Sequence, residues 1–300
     1  MACIAFFKLI PLGARYMLLS ALAFAVMSAF VKLAGQQGIP VLEIIAARAL
    51  VSLVISYLDV RRKGIPVFGS HRLLLFARGL VGFVSLTGVF YSLVHLPIAE
   101  ASVLQYLHPM FTALLALVLL RERPTAATLA CIALSFSGLL VMVRPGFLFG
   151  GLSASYDTLA VAIAIAGAFG SGLAYTIVRR LSSVEDPSVI VMYFPLVCLP
   201  ATVLLGWDDF VMPGGWTWLT LIMVGIFTQV GQVSLTRAMQ TETASRAGSF
   251  SYSQVLFATL LGLWVFGEIP GPWTLAGASL IMLGTLVNIL WKPRLPPVDS

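Results

Sequence analysis

Residues 99–145 read AEASVLQYLHPMFTALLALVLLRERPTAATLACIALSFSGLLVMVRP. A long apolar run closes on Arg121-Glu122-Arg123-Pro124, and a second apolar run ends at Arg144-Pro145. Shifting by 146 positions lays Ser245 to Trp291 over this stretch without a gap. Ala101 then falls on Ala247, Phe111 on Phe257, Leu114 and Leu115 on Leu260 and Leu261, and Leu117 on Leu263. The match continues with Glu122 on Glu268, Pro124 on Pro270, Thr128-Leu129-Ala130 on Thr274-Leu275-Ala276, and Gly138 on Gly284. Self-similarity at a fixed offset marks an internal duplication.

The composition says what kind of unit is duplicated. The 300 residues are 59% hydrophobic and 10% charged, with a mean hydropathy of +0.99. Soluble domains carry about a quarter charged residues, and their surfaces need them. The chain is therefore an integral membrane protein, not a soluble helical enzyme with an apolar core. Its net charge of +6 does not point to nucleic acid, because the basic residues lie in short gaps between apolar runs, where the positive-inside rule places them. Cys3, Cys131 and Cys198 stand apart in apolar surroundings. Their spacing suits neither a metal site nor a disulfide framework, so packing is their expected role. No cofactor, metal or cleaved signal peptide is expected; the first span can direct insertion.

A bilayer core of about 30 Å takes a helix of about 20 apolar residues. Ten segments meet that length, approximately 15–34, 41–58, 73–94, 99–120, 126–143, 158–178, 187–206, 216–239, 243–266 and 272–291. Glycine and proline pairs such as Pro145-Gly146 and Pro270-Gly271-Pro272 punctuate them. Lys8, Arg15, Arg61, Arg62, Lys63, Arg72, Arg121, Arg123, Arg179, Arg180, Lys292 and Arg294 then fall on one side. The other side holds Lys32 and Arg144 at helix ends, and Trp207 and Trp216 flank Asp208 and Asp209 there as an outer belt. Both termini are therefore expected in the cytoplasm.

Five spans per copy is an odd number, so the second copy enters from the opposite side. The loop residues agree: Arg121-Glu122-Arg123 becomes Gly267-Glu268-Ile269, with the arginines gone. The expected fold is all-α, ten transmembrane helices in two inverted five-helix repeats, residues 1–150 and 151–300, forming one transmembrane domain. Inverted repeats are the architecture of secondary transporters.

Small residues allow helices to approach in lipid. The sixth segment carries Gly167, Ala168, Gly170, Ser171, Gly172 and Ala174, and the third carries Gly79, Gly82 and Gly88, with Gly79 overlying Gly225. Close packing explains these; a sliding surface for alternating access is the sharper reading.

Polar groups at membrane depth are costly and need a reason. Arg48 and Arg78 are the basic residues furthest inside apolar segments, with Glu43 and Glu100 as candidate partners. An ion pair between helices and a substrate contact are both open for them. Gln229 and Gln232 lie at i and i+3 in the eighth segment; Gln105, His108 and Thr112 recur beside Pro109 in the fourth; Ser245, Ser249, Tyr252 and Ser253 form a stripe in the ninth. Face-to-face pairing of the repeats would bring these faces round a midplane cavity, and helix tying is the competing explanation for each. His95 and His108 are candidates for proton handling. No carboxylate sits mid-segment, so facilitated movement is at least as plausible as proton antiport. Phe24, Met27, Phe83, Tyr91, Tyr106, Tyr175 and Tyr252 could line an apolar site, with core packing as the alternative. Substrate-binding residues are therefore expected among Phe24, Met27, Arg78, Phe83, Tyr91, Gln105, His108, Tyr175, Gln229, Gln232 and Tyr252. A membrane-embedded enzyme would need a paired metal motif or an activated nucleophile, which three scattered histidines do not supply. No catalytic residue is expected. A channel would need a filter-like loop or a charged ring.

Pro109, the apolar run after it, Glu122 and Pro124, their repeat as Glu268 and Pro270, and Arg48 resemble the drug/metabolite transporter superfamily. Within it the chain resembles the ten-helix bacterial branch of EamA-type exporters, from about Arg15 to Trp291. That resemblance implies export of small metabolites, above all aromatic or other apolar amino acids, by alternating access through a central cavity in the inner membrane. Efflux of amphipathic drugs or cations is the alternative, although it calls for a cavity carboxylate. The implied partners are a small-molecule substrate and the bilayer, with a single copy as the transporting unit. Val255 stands where a proline matching Pro109 would fall, so the two halves need not contribute equally.

Overall fold

The computed structural model describes residues 10–149 and 157–291. Ten helices are long and apolar enough to cross a membrane, and among the described residues there is no strand. In lipid each backbone N–H and C=O must find a partner within the protein, which is why helices are the form such runs take. We number them α1 (Leu12–Gln36), α2 (Val41–Lys63), α3 (Arg72–His95), α4 in two pieces (Ile98–Gln105 and His108–Leu119) and α5 (Ala126–Val143). The second half holds α6 (Thr158–Leu181), α7 (Pro187–Gly206), α8 (Gly215–Thr241), α9 in two pieces (Ala244–Ser249 and Ser253–Phe266) and α10 (Pro272–Leu290). Several helices overrun the apolar segments by up to about a turn, as α2 does through Arg61, Arg62 and Lys63, because basic side chains at a helix C-terminus favour its negative dipole end. Cys3, Lys8, Lys292 and Arg294 lie outside the described residues.

The fourth span, expected as one helix, breaks at Tyr106-Leu107. Pro109 has no N–H to give the Gln105 carbonyl, and the His108 ring takes its place at 3.1 Å through Nδ1. The ninth span breaks at the equivalent point, through a 3-10 turn at Phe250–Tyr252, without a proline. The break thus belongs to the duplicated unit. Tyr106 and Tyr252, related by the same shift of sequence, meet there with ring centroids 5.9 Å apart, and the Tyr252 hydroxyl donates to the Tyr106 carbonyl at 2.9 Å.

Helix neighbours follow the duplication. α1 packs on α8 and α6 on α3; α4 packs on α6 and α9 on α1; α2 meets α7 and α5 meets α10. Each pairing crosses between the halves and maps onto another, or onto itself, when the halves are exchanged. The contacts also show the inversion. Glu122, just past α4, accepts from the Ala244 amide that opens α9, so α4 ends where α9 begins. The same end gathers Lys63 with Asp186 at 3.0 Å, the Ser70 and His71 amides on Glu185, and Arg246 on the carbonyls of Asn288 and Trp291. The Lys63, Arg72, Arg121, Arg179 and Arg180 cluster thus shares one end of the bundle. The opposite end holds Glu268, paired with Lys32.

Apolar burial gives helices little reason to associate in lipid, so backbone proximity must. At the α5–α10 crossing a Cβ on Gly138 would meet the Gly277 carbonyl at 2.6 Å. Gly79 of α3 stands as close to the Tyr193 carbonyl of α7, while its duplicate Gly225 of α8 takes the Val51 side chain of α2. Val replacing Gly138 or Gly277 should cost about 1–3 kcal/mol by forcing the crossing apart. Gly214→Ala, with nothing within 4 Å of the added carbon, should change little. Thermal unfolding midpoints of the detergent-solubilised variants test the contrast.

Candidate functional site

A cavity of about 150 Å³ lies between the halves, lined by Arg48, Arg78, Gly82, Ser85, Leu86, Val89, Gln105, Ser171, Ala174, Tyr175, Val178, Phe194 and Gln232. Five helices of the first and second halves set its polar walls: α2 supplies Arg48, α3 Arg78 and Ser85, α4 Gln105, α6 Ser171 and Tyr175, and α8 Gln232. Each of these side chains is at least about 7 Å along its helix from either end of the span, at 1.5 Å per residue. A wider cleft of about 940 Å³, lined by Ser70, His71, Arg72 and Arg180 among others, opens between the halves at the ends of α3 and α6, where the loops are.

Two arginines dominate the cavity. Their guanidinium carbons lie 5.7 Å (Arg48) and 5.3 Å (Arg78) from the centroid of the Phe194 ring, whose negative face attracts cations. Arg78 is 5% exposed and donates through Nη2 to the Gln232 side-chain carbonyl at 3.0 Å. Among the described residues its Nε and Nη1 have no hydrogen-bond partner, and neither has Arg48 Nε. The Nη1 of Arg48 reaches only the Met27 sulfur at 4.0 Å. Among the described residues no Asp or Glu lines the cavity. Glu43, which the sequence offered as a partner, accepts from the Val211 amide at 2.9 Å, and Glu100 accepts from the Gly146 amide at 2.7 Å. The Ser85 and Ser171 hydroxyls donate to carbonyls in their own helices.

Of the residues that the sequence put forward, Arg78, Gln105, Tyr175 and Gln232 come together here. His108 stands behind Tyr175, edge-on at 5.3 Å; its Nδ1 donates to the Gln105 carbonyl, and its Nε2 is buried and without a partner among the described residues. Met27 touches the rim through Arg48. The others lie elsewhere. Gln229 spans to α2, accepting from Ser52 and donating to Ser56 at 2.8 Å. Phe24 packs on Gly231 in the α1–α8 seam. Tyr91 stacks on His95 at 4.0 Å. Phe83 neighbours Gly82 but is not among the lining residues, and Tyr252 is fully buried against Tyr106.

The sequence left Phe194 unnoticed inside the apolar run of α7. The signal available was Pro195 directly after it, an internal helix proline that often marks a site of special backbone. Arg48 was open between ion pair and substrate contact. Among the described residues no group of three or more His, Cys, Asp or Glu is placed to hold a metal ion.

Ten spans in two repeats around a polar cavity at mid-depth are the form of a small-molecule membrane transporter. The chain belongs to the EamA-like transporter family, whose model matches residues 11–144 and again 158–290. It is similar to the Pseudopaline exporter CntI of Pseudomonas aeruginosa, 31% identical over 93% of this chain and 96% of the exporter. It is also similar to the Riboflavin transporter of Vibrio cholerae, 27% identical over 94% of each, and to Solute carrier family 35 member G1 of Mus musculus, 28% identical over 91% of this chain and 77% of that protein. A solved crystal structure shares the fold with a TM-score of 0.79 at 20% identity, covering 92% of this chain and 95% of its own.

The two duplicated glutamates differ in setting. Glu122 pairs with Arg179 at 2.7 Å, the side chains 16% and 25% exposed, and also accepts from Ala244 N at 2.8 Å. Arg179 in turn donates to the Met239 carbonyl. Glu268 and Lys32 are 58% and 44% exposed. Glu122→Gln should therefore cost about 2–4 kcal/mol by leaving a largely buried guanidinium uncompensated. Glu268→Gln should cost below about 1 kcal/mol, as exposed pairs do. Unfolding midpoints that fall equally in the two variants would contradict this ranking.

Proposed function

We propose that this chain exports small carboxylate-bearing metabolites of the amino-acid type across the inner membrane of a bacterium, by alternating access through the cavity between its halves. The observation that supports this reading is the pair of arginines at mid-depth with open N–H groups and no acidic partner. A guanidinium presents a planar fork of donors that matches a carboxylate, and a charge is kept at such depth where function requires it. Phe194 and Tyr175 offer rings beside it for an apolar portion, which suits an aromatic or aliphatic side chain. Efflux of cationic or amphipathic drugs is disfavoured by the same charges, because a second cation would enter a site already carrying two. We place in the cytoplasm the end that gathers the arginine-rich loops, following the positive-inside rule, and with it the start of α1 and the end of α10. One copy holds the whole cavity, so a monomer suffices.

The purified protein in proteoliposomes, given a panel of labelled amino acids and related carboxylates, tests the reading. Saturable counterflow of at least one carboxylate is expected, and an amine lacking the carboxylate should not compete. If no carboxylate moves while organic cations do, drug efflux replaces this function. Dependence of the movement on an imposed pH gradient would replace facilitated movement by proton coupling.

A further inference from the structure

We infer that the cavity takes a substrate with two anionic groups, a small dicarboxylate or an amino acid bearing a second carboxylate, one group for each of Arg48 and Arg78. This rests on the reading of the cavity as the transport site and names the class of molecule that fits it.

The argument is a count of charges and donors. Arginine stays protonated in proteins, so the empty site holds two fixed positive charges. Among the described residues no acid lines the cavity to neutralise either one. Gln105, Gln232 and Tyr175 are neutral, the Ser85 and Ser171 hydroxyls are turned to their own helices, and Glu43 and Glu100 are engaged with backbone amides. Phe194 offers both guanidiniums a π face, which steadies a cation but accepts no hydrogen bond of ordinary strength. Arg78 uses one donor on Gln232 and keeps Nε and Nη1 open; Arg48 keeps Nε open and has only a thioether at Nη1. Buried donors without acceptors are costly, and those of a charged group more so. One carboxylate sets a single negative charge against two positive ones. A zwitterion with a single carboxylate would bring no net negative charge to the site. Two carboxylates offer an acceptor to each fork; a dicarboxylate brings the site to neutrality, and an amino acid with a second carboxylate leaves one positive charge.

A structural role for the arginines makes the opposite prediction for stability. A guanidinium that ties helices together destabilises the protein when removed, whereas one held without a counter-charge does not. Arg78→Gln and Arg48→Gln are accordingly expected to unfold at or above the midpoint of the unaltered protein when no substrate is present.

The binding test uses succinate, monomethyl succinate, dimethyl succinate, glutamate and leucine, read as thermal shift of the detergent-solubilised protein and as competition in proteoliposome counterflow. Succinate or glutamate should bind at least tenfold more tightly than monomethyl succinate and leucine, with the dimethyl ester inert. Arg78→Gln and Arg48→Gln should each reduce that preference to below about twofold, and the Arg→Lys variants should retain part of it, since charge survives but the fork does not. Equal binding of succinate and its monoester, or a preference that survives either Gln variant, overturns the inference. Counterflow of leucine but not of the diacids would overturn it while the exporter reading of the preceding section stands. If none of the carboxylates binds or moves, both fall.

Discussion

Lipid removes the usual reason for helices to pack. Leu against Leu is no better than Leu against an acyl chain, so association depends on how closely backbones can approach and on which polar groups they share. In this protein the close approaches run between the halves. Gly138 meets Gly277, Gly79 the α7 backbone at Tyr193, and Gly167 the Ser85 carbonyl, which a Cβ there would approach to 3.2 Å. Because α1 lies on α8 and α6 on α3, each half supplies the neighbour that the other needs. A cavity formed at such an interleaved seam receives walls from both halves by construction.

The polar side chains inside the bundle divide by whether they satisfy one another. Gln229 with Ser52 and Ser56, Asn288 with Ser249 at 2.8 Å, and Tyr252 with the Tyr106 carbonyl form closed sets, and they tie helices. Arg48 and Arg78 close only in part, Arg78 through one donor on Gln232 and Arg48 at the Met27 sulfur. An unmet polar group in the middle of a membrane is expensive, so the difference separates the scaffold from the site more sharply than polarity does.

Much of the architecture is legible in the sequence because it follows from two simple signals, hydropathy and repetition. The shift that lays Glu122 on Glu268 announces the duplication, and the loss of the flanking arginines announces the inversion that the α4–α9 contact displays. The site is less legible. Gln229 and Gln232 are three residues apart, hence about 60° round the helix axis, and that angle sends one to α2 and the other to Arg78. Phe194 is hidden because an aromatic ring in an apolar run carries no mark of what lies over its face. Gln105 and Tyr175 were visible as polar or amphipathic groups near a broken helix, but only the fold says that α4 and α6 carry them to the same cavity.

The two glutamates show how a near-symmetric chain can hold an unequal structure. Each ends the same duplicated unit, yet the charges around them differ: Arg179 and the opening amide of α9 bind Glu122 within the protein, while Lys32 meets Glu268 at an exposed surface. Exchange of the halves would carry the arrangement at one end into the other, and the sequence opposes a perfect exchange because Arg179 falls opposite Leu33, next to Lys32, and a lysine offers a single point of charge where arginine offers a fork. The end that Glu122 closes is thus built to be held more firmly than the end at Glu268. The proposed alternating access needs no arrangement beyond these two, and the unequal pairs would set which of them the empty protein prefers, with the bound substrate's two contacts as the opposing influence.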